Sequence, residues 1–584
     1  MFDLKIINGT IVDGTGADRF VGDLAITNGV IVAVQRGGGL QGDAAEVIDA
    51  TGMIVAPGFV DIHTHYDGQV TWDGLLEPSS QHGVTTIVSG NCGVGFAPVR
   101  PGYEGALIEL MEGVEDIPGT ALTEGMTWGW ESFPGYLDKL EEQNLAVDFG
   151  VQIAHSAVRT YVMGDRGARN EPASAEDIEL MGKYVEEAIE AGALGFSTSR
   201  TLGHRAMNGE PVPGTFAAED ELFGLGRAMA RGGASVFELA PMGAAGEDIV
   251  APKTEVEWMK RLAAEIDCPV SFALIQVDAA PDLWREIMAE SLLAHEAGAP
   301  IYPQVAARPF GMLLGFPGHH AFSKRPTYVE LRAKLSREEL FAELQNPAVK
   351  AKILSETDLP SDPAVLFDGM NGLAQGMVSR TYPLGSPVDY EPTPDKTIAA
   401  IAQSQGRDPL EVLYDAYSEH GAGAMTMLPF FNYSNGNQDA VREMLLHPAG
   451  VAGLSDGGAH CAMICDASYP TYLLSFWAKE GGRTRGPGLP LEYVVKKQSF
   501  DTAQLYGLTD RGVIAEGKKG DINIIDMNRI DIGRPYMAYD LPAGGNRLLQ
   551  GSTGYVNTIV SGVVTRRNGV DTGARPGRLV RGQR

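Results

Sequence analysis

Short apolar runs, broken at regular intervals by glycine, proline and asparagine, run from one end of this chain to the other. Near the start, Leu4-Lys5-Ile6-Ile7, Thr10-Ile11-Val12, Asp23-Leu24-Ala25-Ile26-Thr27 and Val30-Ile31-Val32-Ala33-Val34 read as strands. The dipeptides Asn8-Gly9 and Asn28-Gly29 between them predict tight hairpin turns. The far end repeats the theme with Gly512-Val513-Ile514, Asp521 to Asp526, Val556 to Val560 and Gly562 to Arg566, followed by Asn568-Gly569. Two β-rich ends around a long middle predict one small β-sandwich domain built from residues 1–56 and 510–584.

The middle alternates between two periods. Apolar runs at 54–62, 85–89, 149–154, 195–198, 234–239, 270–274, 301–305 and 451–455 read as buried strands. Helical spacing lies between most of them, as in 175–191, opened by Ser174, and 283–295. Eight strand–helix units predict an α/β fold, a distorted TIM (β/α)8 barrel over residues 57–509, with its chemistry at the C-terminal strand ends. The stretch from about 310 to 440 is too long for one connection. Its Arg-, Lys- and Glu-rich segment 324–354 predicts an inserted helical segment that caps the barrel.

Composition narrows the partners. A net charge of −29 repels nucleic acid and anionic membranes. Four cysteines in 584 residues form no disulfide framework and suit a reduced, cytoplasmic setting. The first residues lack a basic stretch followed by an apolar one, so no signal peptide is expected, and no run is apolar enough to span a membrane. The expected partner is a small-molecule substrate; assembly into a homo-oligomer is left open.

Chemistry concentrates at the predicted strand ends. His63 and His65 follow the first run, and side chains at i and i+2 of a strand face one way. Two neutral imidazoles placed so can hold one divalent metal, zinc being a favoured choice. Asp456 ends the eighth run. A carboxylate there can ligate the metal and move a proton to and from its water. Cys92 ends the second run among glycines, where a thiolate would be a tight zinc ligand and a thiol simply a small buried side chain. His155 ends the third run and reads as a metal neighbour, a satisfied core histidine or, the favoured role, a group that holds substrate or stabilises an oxyanion. Arg159 and Arg308 are candidates to grip a substrate carboxylate, and His460 lies close enough to Asp456 to be a further substrate-binding candidate.

The segments PGFVDIHTHYD, GVTTIVSGNCGVGFAP, GALGFSTS, LSDGGAH and TDRGVIAEGKKGDINIID together resemble the metal-dependent amidohydrolase superfamily, and within it the D-aminoacylase (N-acyl-D-amino-acid deacylase) group. The resemblance implies His63, His65 and Asp456 as metal ligands, Asp456 doubling as acid and base. It implies Cys92 as the ligand shared between two metal positions, where other branches use a carboxylated lysine. The group also supplies a histidine from each of strands five and six; here those runs read Ala234 to Ala240 and Pro269 to Gln276 without one. Glu238 is the candidate replacement for one of them. The expectation is one firmly bound Zn2+, with any second ion weak, in a hydrolase of the C–N amide bond of an N-acyl amino acid or related small amide. Alternatives are hydrolysis of a cyclic amide, imide or lactone on the same scaffold, and a non-catalytic scaffold protein.

Overall fold

The computed structural model describes residues 1–362 and 368–582. The insertion residues 363–367 and the last two residues of the C-terminal segment lie outside the described residues.

Strands from both ends of the chain share one nine-stranded sheet. Phe2–Ile11 sits near its middle, paired with Phe20–Thr27, Ala44–Asp49 and Ile54–Pro57. Ile54–Pro57 then pairs with Ile522–Ile525, and Tyr555–Val560 and Val563–Arg567 continue outward. Leu4, Ile6, Leu24, Ile26, Ile522, Ile524 and Ile559 form one buried cluster, which ties the halves together. Asn28-Gly29 makes the expected hairpin, but Asn8-Gly9 does not. There the strand runs straight on through a bulge, with Asn8 at φ 60° and its N–H donated to Asp23 Oδ1 at 2.8 Å.

All eight predicted barrel runs form strands, the third, 149–154, as two, Asp148–Val151 and Ile153–Ala154. Phe59–Asp61, Val84–Ser89 and Asp148–Val151 pair in parallel. Ile153–Ala154, Gly195–Ser199, Val236–Ala240, Val270–Leu274, Ile301–Val305 and Val451–Ala452 form a second parallel run. The apolar run 54–62 is therefore two strands, one for each sheet. Gly58 marks the break, because a Cβ there would come within 2.1 Å of Thr85 Oγ1. The first and eighth strands meet beyond their regular ends. His65 N–H donates to Gly457 O at 2.8 Å, and Asp456 N–H to His63 O at 3.1 Å. The predicted helices appear as Ala175–Ala191, with a capping box between Ser174 and Asp177, and Leu283–Glu296.

The insertion has its own core, including Leu314, Phe322, Tyr414, Tyr417 and Leu428. Segment 324–354 is helical, as Pro326–Lys334, Arg337–Leu344 and the start of Pro347–Ser355. Beside these helices lies a small antiparallel sheet of Phe310–Leu314, Thr426–Phe431 and Tyr382–Pro383, which sequence reasoning did not anticipate. Among the described residues no helix is long and apolar enough to cross a membrane.

Candidate metal centre

The loops leaving the strands bring the key side chains together. His63 and His65 follow the first strand and are both about 1% exposed. Cys92 comes three residues after the second strand, in the left-handed region at φ 54°. The turn carrying it is pressed against its neighbours. A Cβ on Gly90 would meet Gln152 O at 2.3 Å, and one on Gly93 would meet Ser199 N at 2.7 Å, so only glycine fits on either side. Asn91 holds the turn by donating to Thr64 O and Val88 O, both at 3.1 Å. Asp456 also lies at positive φ, 49°, two residues after Leu454 at 59°. The eighth strand thus ends at Ala452, and Asp456 is presented by a strained turn rather than a strand end.

His63 Nε2 stands 3.3 Å from Cys92 Sγ and 3.4 Å from Asp456 Oδ1. His65 Nε2 is 3.9 Å from the same Oδ1. Ligand atoms of His63, His65 and Cys92 all lie within 4.8 Å of one another. On its far side, His63 Nδ1 pairs with Gln304 Oε1 at 2.9 Å. That bond places the proton on Nδ1 and leaves the Nε2 lone pair facing the thiol. Two imidazoles and a soft sulfur, buried and converging, suit a metal such as zinc. Several buried atoms at the site also lack a hydrogen-bond partner: His65 Nδ1, Glu115 Oε1, Glu238 Oε1 and Asp67 Oδ2. Buried polar atoms are rarely left so unless something else satisfies them.

Glu238, on the fifth strand, lies where the replacement ligand was expected. Its Oε2 accepts the Cys92 N–H at 3.0 Å and its Oε1 is 3.7 Å from His63 Nδ1. Three further residues were not singled out from the sequence. Gln304 is one. Glu115 is the last residue of helix Glu104–Glu115; its Oε1 is 3.3 Å from His65 Nδ1 and its Oε2 3.8 Å from His460 Nε2. His204, in the loop after the fourth strand, bonds Ser199 Oγ through Nδ1 at 2.9 Å and stands close enough to disfavour protonation of His63, His65 and His460. The only signal for Glu115 was its place at the end of an amphipathic helix, which does not distinguish it from other surface acids.

Burial dominates the electrostatics. It holds His63 down to about 4 and His65 well below the usual imidazole range, so both are neutral, as ligands must be. It pushes Glu238 up to about 8 and Asp456 and Glu115 well above the carboxylate range, with neighbouring acids adding to the effect. The Cys92 thiol is raised by burial and by Glu238, Glu115 and Asp456.

Three expected substrate contacts are placed elsewhere. His155 opens helix His155–Met163 and is fully buried, with Nδ1 on Thr198 Oγ1 at 2.8 Å and Nε2 on Glu221 at 3.0 Å. Neither ring nitrogen is left for an oxyanion. Arg159 donates to the same Glu221 at 2.9 Å and to backbone carbonyls. Arg308 is 1% exposed, bonded to Asp466 at 2.8 Å and to Cys465 O, with the rings of Tyr390, Tyr469 and Tyr472 around its guanidinium. Both guanidiniums are already neutralised by a buried carboxylate, which is what their burial requires. His460 is at the site: its Nε2 is 3.8 Å from Asp456 Oδ2, and it is 18% exposed, more than the other groups around it.

The sequence profile of the Amidohydrolase family matches residues 46–566. An uncharacterised protein of Mycobacterium tuberculosis is 26% identical over 558 residues, spanning 91% of this chain and 85% of the relative. A D-aminoacylase of Alcaligenes xylosoxydans xylosoxydans is 30% identical over 312 residues, 52% of this chain and 58% of the relative. Among solved structures, an N-acyl-D-glutamate deacylase from Bordetella bronchiseptica, complexed with zinc and a phosphonate inhibitor, aligns over 99% of both chains with a TM-score of 0.65 at 23% identity. A family match over residues 46–566, the whole barrel with part of each β-rich end, shows that this chain belongs to the amidohydrolase family.

Proposed function

We propose that this protein is a metal-dependent hydrolase of a C–N amide bond, acting on an N-acyl amino acid or a related small amide. The observation that carries the reading is the convergence of His63 Nε2, His65, Cys92 Sγ and Asp456 at one end of the barrel. Relatives named D-aminoacylase and N-acyl-D-glutamate deacylase support the bond type. Four buried, unpaired cysteines support a reduced, cytoplasmic setting.

His63, His65, Cys92 and Asp456 would hold the metal, with Glu238 beside them. A metal ion in this set would supply a polarised carbonyl and a more acidic water. Asp456 provides the proton path. Its carboxylate lies beside His63 and His65, where it would take a proton from the attacking water and return it to the leaving nitrogen. Gln304 keeps the Nδ1 proton of His63 in place, and the apolar body of the barrel shields these groups from bulk water. His204 and His460 line the more open side and are the candidates to meet the substrate, in place of His155 and Arg159.

The test combines elemental analysis with turnover on a panel of N-acyl amino acids of both configurations, cyclic amides and lactones. Metal bound in the wild type, loss of metal and turnover in His63→Ala, and a fall of roughly 10²–10⁴-fold in kcat for Asp456→Asn are the expected results. Hydrolysis confined to lactones, or full turnover without bound metal, would overturn the reading.

A further inference from the structure

We infer that Glu115 is a positioning residue: its carboxylate accepts a hydrogen bond from the Nδ1–H of His65 and so turns the Nε2 lone pair of that ring toward the metal ligands. The inference rests on the metal-dependent reading above and adds to it the group that orients the second histidine.

Each partner supplies what the other lacks. His65 Nδ1 and Glu115 Oε1 are both buried without a hydrogen-bond partner, and they stand 3.3 Å apart. A small turn of the ring brings N–H and acceptor into line. The two residues are 1% and 2% exposed, and polar atoms buried so deeply are rarely left unpaired. At the other end of the ring, His65 Nε2 is 3.9 Å from Asp456 Oδ1. The imidazole therefore spans from Glu115 to the group that gathers around His63 and Cys92. His63 is arranged the same way, with Gln304 Oε1 on its Nδ1 at 2.9 Å. The two histidines then present the same nitrogen, and a carboxylate behind an imidazole makes it a more basic ligand.

The place of Glu115 in the fold is otherwise unfavourable. It is the last residue of helix Glu104–Glu115. Unsatisfied carbonyls concentrate partial negative charge there, so an acid at that end is disfavoured. Among the described residues, its ion-pair partners within 4 Å are His65 and His460, with no lysine or arginine. A buried helix end that needed only packing would be served by an apolar side chain. The backbone holds the carboxylate in place. Asp116 follows at φ 51°. His460 N–H donates to Glu115 O, Cys461 N–H to Asp116 O at 3.2 Å, and Ala462 N–H to Asp116 Oδ2 at 2.8 Å. These bonds fasten the helix end to the loop that carries Asp456 and His460, so the distance from Glu115 to His65 is set by the fold.

The test replaces Glu115 by Met, which keeps the volume and removes the acceptor, and by Gln, which keeps an acceptor oxygen at the same reach. Zinc affinity is read by competition with a chromophoric chelator, and a cooperative melt of the chelator-stripped protein shows that each variant is folded. Glu115→Met should bind zinc roughly 10–100-fold more weakly. Glu115→Gln should retain more of the affinity. Crystals of zinc-loaded wild-type protein should show His65 Nε2 on the ion and Glu115 within hydrogen-bond distance of Nδ1, a result that does not depend on any variant folding. Unchanged zinc affinity in folded Glu115→Met would assign Glu115 to packing alone and overturn the inference. A loss as large in Glu115→Gln as in Glu115→Met would overturn it too, since charge and not the hydrogen bond would then be responsible. So would an ion bound to His65 Nδ1 or to Glu115 itself. Each of these outcomes leaves the proposed function standing, whereas wild-type protein that binds no metal would defeat both.

Discussion

Replacing Gln304 by Met tests whether the site is built to present His63 as a ligand. Gln304 is fully buried; its Oε1 accepts from His63 Nδ1 at 2.9 Å and its Nε2 donates to Ser271 Oγ at 3.1 Å. Met keeps the volume and removes the acceptor. The buried Nδ1–H is then unpaired, at a cost of about 1–3 kcal/mol. The ring can escape that cost by moving its proton to Nε2 or by turning, and either move takes the lone pair away from Cys92 and Asp456. Loss of such an outer partner lowers metal affinity by roughly 10–100-fold, equivalent to about 1.4–2.7 kcal/mol. The two magnitudes agree. Competition for zinc against a chromophoric chelator at fixed pH measures the loss, with circular dichroism to verify the fold. A folded Gln304→Met variant whose zinc affinity stays within about twofold of wild type would refute the idea that this hydrogen bond sets the tautomer.

Further expectations follow from the same contacts. Because burial and nearby carboxylates keep the Cys92 thiol protonated, zinc capture must expel that proton, so affinity should rise with pH and wild type should release about one proton more than Cys92→Ser; calorimetry in buffers of differing ionisation enthalpy would expose equal release as a contradiction. Asp148 sits between Arg511 Nη1 and Lys519 Nζ, each at 2.6 Å, and Asp148→Asn should cost about 3–5 kcal/mol in denaturant unfolding. The Asp148 carboxyl is held below its ordinary value by Lys519 and Arg511, against the opposing effect of burial. Its contribution is therefore fully present above about pH 4 and is lost as pH falls through the lowered folded value; a wild-type-to-variant gap that widens on acidification would contradict this. Glu221→Gln should lower the melting temperature and leave KM unchanged, since Glu221 serves buried His155 and Arg159; a KM change at unchanged melting temperature would return Arg159 to the substrate site.

Much of the candidate site was legible because its residues occupy short local motifs. His63 and His65 share a strand exit, and Asp456 lies in a Ser-Asp-Gly-Gly turn whose composition already signals an unusual backbone. Glu238 stood out only through the resemblance, as a carboxylate on the strand where the related group carries a histidine. Gln304, Glu115 and His204 were not legible in that way. Each is an ordinary residue in its local segment, and its role comes from a partner far along the chain: Gln304 and His63 are 241 residues apart. Arg159 and Arg308 failed for the complementary reason. Their neutralising partners, Glu221 and Asp466, are 62 and 158 residues away, so a local reading takes them for free cations.

The sequence by itself determined the periodic elements, the barrel class, the union of the two β-rich ends and most of the residues that gather at the candidate site, because period, turn chemistry and strand-exit motifs are local properties. Tertiary structure decided what those properties become when a distant group competes for them. Asn28-Gly29 turns a hairpin, whereas Asn8-Gly9 is drawn straight, its N–H captured by Asp23 and its strand paired on both edges. The run 54–62 is one apolar stretch in sequence and two strands in space, since Thr85 leaves room only for glycine at position 58. The same competition left His155 inside a buried ion network and brought Glu115 beside His65. Hydrogen bonds and charges in a low-dielectric interior are satisfied by whichever partner the packing delivers, and only the folded chain specifies that partner.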